Sequence, residues 1–298
     1  MTSTRTPLGR VLAAVRPTAW VLDLIVLAPL LYSGRLLDPP SIQLAGATLL
    51  AFGLISVNAS LLDAWRTQHD KVLLGTAAIF AALGLALASS LATRTPPLAA
   101  EGLGAYDVLN WCLIFLALSV FDVLLLARIA VVDVLSAATR LLLRPLAGAA
   151  VLQLTPLPGL LGLTAALGLY LAFATRYLEF AQAPAPAADD FVSLDTRRLF
   201  DRGVVAGVVL VVVAWIGFSF SARTITSVGS HDLVWITPLV AWIAWRHAGH
   251  IRRGAVPQAS GKRFVSDDAV AMLLADRVSG AALLIWFAAT LQVVYRPF

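Results

Sequence analysis

One cysteine in 298 residues, Cys112, leaves no partner for an intrachain disulfide and no thiolate set for a multi-cysteine zinc or iron–sulfur site. Charge is scarce too. Asp, Glu, Lys and Arg make up 13% of the chain, about half their share in soluble domains. So few charges cannot cover a water-soluble fold when hydrophobic residues reach 59% and mean hydropathy is +0.85. Disulfide-stapled secreted domains, disordered chains and soluble nucleic-acid binders are excluded. The first fifteen residues carry Arg5 and Arg10 but no apolar core with a small-residue cleavage site. No removable signal peptide is expected.

Long apolar runs are what the chain does have. A bilayer core takes about 20 apolar residues per helix, and nine runs fit: Thr18–Ser33, Ser41–Leu62, Val72–Thr93, Leu109–Ala127, Ile129–Leu152, Thr155–Thr175, Gly203–Phe220, His231–Trp245 and Val278–Tyr295. The fourth and fifth nearly fuse around Arg128, which reads as a tight turn. Pro156 and Pro158 sit near the start of the sixth, where proline costs least. The expected fold is an all-α integral membrane protein of about nine transmembrane helices, a single polytopic domain over 1–298. Residues 1–17 form a cytoplasmic tail, and 181–202 and 247–277 form cytoplasmic connections. No internal repeat is evident.

Net charge +5 is explained by placement. With the amino end inside, sixteen basic residues fall on inner segments: Arg5, Arg10, Arg16, Arg66, Lys71, Arg128, Arg176, Arg197, Arg198, Arg202, Arg246, Arg252, Arg253, Lys262, Arg263 and Arg277. Four fall outside: Arg35, Arg94, Arg223 and Arg296. That bias follows the positive-inside rule. The expected location is the inner (cytoplasmic) membrane, with the amino terminus cytoplasmic and the carboxyl terminus outside. The proline–alanine linker Gln182–Asp190 and the polar connection Gly254–Asp268 share the inner side, which points to binding or chemistry there.

Charges within hydrocarbon need a partner or a water-filled cavity. Asp23 interrupts the first run, Asp122 lies late in the fourth, where it reads as snorkelling, and Asp133, Arg140 and Arg144 lie in the fifth. Offsets of seven and four put the last three along one helix face. An acid and two guanidiniums there fit a phosphate, a metal–phosphate pair, or an interhelical salt bridge. At the end of the second run, Asn58, Asp63, His69, Asp70 and Lys71 move into a charged loop. Their oxygen ligands are candidates for Mg²⁺, against the alternative of a solvated loop. His69 beside Asp70 reads as a proton-transfer pair or as an ordinary surface histidine. His231, His247 and His250 lack ligand-like spacing. Trp20, Trp65, Trp111, Trp245 and Tyr295 suit an interfacial aromatic belt.

Five segments in order carry a resemblance. Val15-Arg16-Pro17-Thr18-Ala19-Trp20 with Val26-Leu27-Ala28-Pro29-Leu30 is similar to RPxQWxKN–LVLAP. Val57-Asn58 through Lys71 stands in the place of NDxxDxxxDxxHPxK. Val131-Val132-Asp133-Val134 and Leu143-Arg144-Pro145-Leu146-Ala147-Gly148-Ala149 are similar to LDV…LRAxAGA. Ala174-Thr175-Arg176-Tyr177-Leu178-Glu179 stands where GKRYAE is found, and Asp267-Asp268 to Leu273-Leu274-Ala275-Asp276-Arg277 is similar to PED–LLxDR. Nearly end to end, the chain resembles the UbiA-type prenyltransferase superfamily, and within it the decaprenyl-phosphate phosphoribosyltransferase branch.

The resemblance implies a helical bundle around a central cavity, a polyprenyl phosphate or diphosphate substrate, and Mg²⁺ held by acidic clusters. The implied catalytic residues are Asp63 and Asp133, with Asp63, Asp70 and Asp133 sharing the metal. The implied substrate-binding residues are Asn58, His69, Lys71, Arg140, Arg144, Arg176, Tyr177 and Glu179. Partners would be the lipid substrate and the bilayer, with no nucleic acid and with homo-oligomers compatible. Departures from the pattern are specific. Ala59, Leu62 and Arg66 replace the motif's aspartates, Leu22 and Asp23 replace its opening lysine and asparagine, and Thr175 replaces a lysine. Two functions therefore stand: a prenyl or phosphoribosyl transferase, or a catalytically degenerate lipid-binding or complex-forming membrane subunit. A transporter is a third, weakened by the absence of repeats.

Overall fold

The structure is a computed structural model that describes residues 11, 14–15, 17–99, 102–124, 130–182, 191–253 and 268–296. Arg5, Arg10, Arg16, Arg128, the linker over 183–190 and the connection over 254–267 lie outside the described residues. Among the described residues every regular element is helical. The protein is a multi-pass α-helical membrane protein: six helices are long and apolar enough to cross a bilayer. Two shorter apolar stretches, Trp20–Tyr32 and Val108–Leu124, accompany them. Helices prevail because a chain in lipid must satisfy its backbone groups within itself. The fold divides into two compact units, Met1–Pro156 and Leu157–Phe298.

The first unit begins with a broken helix where a continuous span over Thr18–Ser33 is expected. Helix α1 (Pro17–Asp23) passes into a 3-10 turn (Leu24–Leu27) and then α2 (Ala28–Tyr32). Pro29 explains the break, since it lacks an N–H and its ring opposes the carbonyl one α-turn back. Helix α3 (Pro39–Gln68) is capped by Asp38, whose carboxylate accepts from Ser41 N–H at 3.2 Å, and Pro39 and Pro40 need no N–H partner there. It runs 30 residues, about 45 Å, so the charged stretch expected as a loop is helical through Gln68. His69 ends it with φ 53°, and Asp70 immediately caps α4 (Lys71–Ala92) by accepting from Val72 N–H at 2.9 Å. Two residues make the reversal.

Helices α5 (Val108–Leu124) and α6 (Ala130–Val151) complete this unit. α6 packs on both the 3-10 turn and α2. Gly148 is what lets them approach: a Cβ there would lie 2.0 Å from the Val26 carbonyl oxygen. Arg35 and Gln153 tie the loops at one end, donating to Leu152 O at 3.3 Å and Pro96 O at 3.2 Å.

The second unit holds α7 (Pro158–Gln182), α8 (Phe191–Phe220), α9 (Ala222–Val228), a 3-10 turn (Asp232–Ile236), α10 (Thr237–Arg253), α11 (Asp268–Ala275) and α12 (Arg277–Val294). Residues 191–202, expected as part of a connection, begin the 30-residue α8. α7 and α8 pack most closely, with Gly203 under the Phe173 ring and Gly207 against Tyr170. Small residues at such crossings let backbones approach where no hydrophobic force drives helices together in lipid. Leu284, Ile285 and Phe287 on α12 are exposed, as a lipid-facing surface requires.

Candidate functional site

In the first unit, α6 positions Asp133 in its first turn and Arg144 three turns later, and both are buried. The spacing along one face is met. The two arginines, however, bond different acids. Arg144 Nε donates to Asp23 Oδ1 at 2.8 Å, and that oxygen also accepts from Ser56 Oγ at 2.9 Å. Arg144 Nη1 donates to the Arg140 carbonyl at 2.9 Å, and its guanidinium lies 5.1 Å from the Phe115 ring centroid. Asp23 Oδ2 is buried without a hydrogen-bond partner among the described residues. Arg140 reaches elsewhere, with Nη2 2.8 Å from Asp122 Oδ2. Asp122 is therefore buried in an ion pair rather than snorkelling. Arg140 and Arg144 are one turn apart and repel, so each takes an acid from a different helix.

The expected metal residues are placed separately. Asn58 Nδ2 donates to the Ala77 carbonyl at 2.8 Å and ties α3 to α4, while its Oδ1 is buried without a hydrogen-bond partner among the described residues. Asp63 is half-buried inside α3, and Asp70 gives its carboxylate to the α4 cap. His69 is exposed in the left-handed C-cap of α3, edge-on to Trp65 at 6.4 Å, and Lys71 is exposed on the first turn of α4. Among the described residues no three His, Cys, Asp or Glu side chains come together to hold a metal ion. Asp63, Asp70 and Asp133 are thus not gathered into one such group. One oxygen of Asp70 is taken by the cap, accepting from a free N–H of the first helical turn.

In the second unit, Arg176 pairs with Glu179 one turn on along α7, and Tyr177 is buried between them in sequence. More of this unit's polar structure was missed by sequence reading. His247 is buried on α10. Its Nε2 faces the Ala269 carbonyl at 2.8 Å and must carry the proton, so Nδ1 accepts from Tyr170 Oη at 2.8 Å. One step earlier, Arg246 grips Asp276 with two bonds, Nε to Oδ2 at 2.6 Å and Nη2 to Oδ1 at 3.1 Å. Asp276 also caps α12, accepting from Val278 and Ser279 N–H. The Arg246 hydrogen bond, with the Ser279 hydroxyl, holds its carboxyl well below the ordinary carboxylate range. The Asp before Arg277 at a helix start is the one signal that reveals this in sequence.

Burial pushes the His247 imidazole from 6.5 down to about 4, aided by His250 and opposed by the Ala269 bond. Stability is expected to fall as pH drops from about 6.5 to about 4, because the unfolded chain binds a proton there that the folded chain refuses. Above that window His247 is neutral in both states and its contribution is complete. The full loss is on the order of 3 kcal/mol. Unfolding of His247→Gln between pH 4 and 7 checks this: the variant should lack that slope, since its amide still donates to Ala269 O but does not titrate.

No protein-family model and no curated protein matches the chain.

Proposed function

We propose that this chain is a non-catalytic, UbiA-like multi-pass membrane protein of the cytoplasmic membrane, its amino end inside, serving as a lipid-binding or complex-forming subunit. The observation that supports this most is the Asp23–Ser56–Arg144 network. A transferase working on phosphate needs basic groups and metal-binding carboxylates whose charge develops against the substrate. Here Arg144 is engaged by Asp23, Arg140 by Asp122, and Asp70 by a helix cap. Charges that neutralise one another between helices hold those helices in register. The ligand in this reading is a polyprenyl phosphate or a similar lipid, gripped by apolar side chains.

The transferase remains the second reading, favoured by Asn58. It stands at the asparagine of the resembled motif and keeps a buried carbonyl oxygen without a hydrogen-bond partner among the described residues. The two readings separate on metal. Purified full-length protein in nanodiscs is expected to bind a polyprenyl phosphate equally well with Mg²⁺ and with chelator, and Asp63→Asn should leave that affinity unchanged. Tighter binding in Mg²⁺ that Asp63→Asn and Asp133→Asn each abolish would decide for the transferase, because a neutral amide is a poor ligand for a hard cation.

A further inference from the structure

Three ion pairs fix how the ends of the second unit are arranged. Arg252 bonds Asp201 at 2.7 Å and brings the end of α10 to the early part of α8. Arg246 bonds Asp276 and brings it to the start of α12, while Arg296 and Asp232 meet at 3.5 Å at the opposite end. α8, α10 and α12 therefore run antiparallel in turn, and Arg202, Arg246, Arg252, Arg253 and Arg277 gather at one end. Arg246 and Arg252 are neutralised by acids. Arg202, Arg253 and Arg277 are exposed and have no carboxylate within 4.0 Å among the described residues. At the other end only Arg223 and the paired Arg296 are basic among the described residues of this unit.

A second, independent feature sits beside this collar. Trp242 and Trp245 are exposed on α10, the latter at 71%, just before the arginines begin. Exposed indoles lie at the membrane–water boundary, where an amphipathic ring has both of its preferred neighbours. Arg253 is eight residues beyond Trp245, about 12 Å along the helix axis. The arginines thus extend outward from the indole level through the headgroup layer.

We propose that this end of the second unit is a binding collar for anionic phospholipid headgroups of the leaflet that Trp242 and Trp245 contact. A phosphodiester without a compensating amine offers the paired oxygens that a guanidinium fork engages. The collar is separate from the charges weighed in the proposed function, so either reading of that function can fail without it.

The test uses the full chain purified from equal mixtures of phosphatidylglycerol and phosphatidylcholine, with retained lipid counted by native mass spectrometry. Phosphatidylglycerol should be retained preferentially. Arg202→Gln, Arg253→Gln and Arg277→Gln should each cut that preference by about fivefold at low salt, and Arg223→Gln should leave it intact. Added inorganic phosphate should not displace the lipid. Because these side chains are exposed, the single variants should keep the unfolding temperature of the parent, and each can be read alone if their combination does not fold. No preference in the parent, an unchanged preference in all three variants, an equal loss in Arg223→Gln, or displacement by free phosphate would each overturn the collar.

Discussion

Arg144→Met is expected to destabilise the protein by about 3–5 kcal/mol, because it leaves the Asp23 carboxylate buried without its counter-charge. The environment makes this severe. Asp23 is 1% exposed, and among the described residues its carboxylate otherwise accepts only from Ser56 Oγ. Arg144 itself is buried, so solvent screens neither partner. The double variant Asp23→Leu/Arg144→Met should recover most of the loss, since well-packed apolar residues often replace a buried pair without cost. Equilibrium unfolding in mixed micelles on the two singles and the double measures both effects. Additive losses in the double variant would show that the two residues do not act as a pair.

Gly148→Ala is expected to cost about 3 kcal/mol, at the upper end for overpacking by one methyl. The methyl would sit 2.0 Å from a main-chain carbonyl oxygen, that of Val26, with the Pro29 ring 3.3 Å away. A flexible side chain could swing aside, whereas a carbonyl held in the 3-10 turn moves only with its whole segment. Gly46→Ala and Gly53→Ala are the matched controls. Nothing lies within 4 Å of a Cβ at either, so each should be neutral or stabilise α3 by up to about 1 kcal/mol. The same unfolding assay ranks all three.

The helical, membrane-spanning character was legible because hydrocarbon admits few solutions and the apolar runs are long. Boundaries drifted where charge and helix coexist: the second run reads as ending at Leu62, yet Asp63 to Gln68 continue the same helix. Burial of Asp133 and Arg144 followed from their spacing on one face. Their surroundings did not. Asp23 and Arg144 are 121 residues apart, Tyr170 and His247 are 77 apart, and no periodicity marks a pairing between separate helices. Asp70 had a local signature, an aspartate just before a helix start, and its carboxylate does accept from the first turn of α4.

The long separation of Asp23 from Arg144 also orders events in time. A ribosome adding roughly 5–20 residues per second needs about 6–24 s to travel from one to the other. Through that interval Asp23 waits without Arg144, and hydrocarbon is a costly place for an uncompensated acid. The α3–α4 hairpin, closed by its own two-residue turn, can meanwhile enter the bilayer as a pair. The helix that carries Asp23 thus locks into place only once Arg144 of α6 has been made, although it precedes α3 to α6 in the chain.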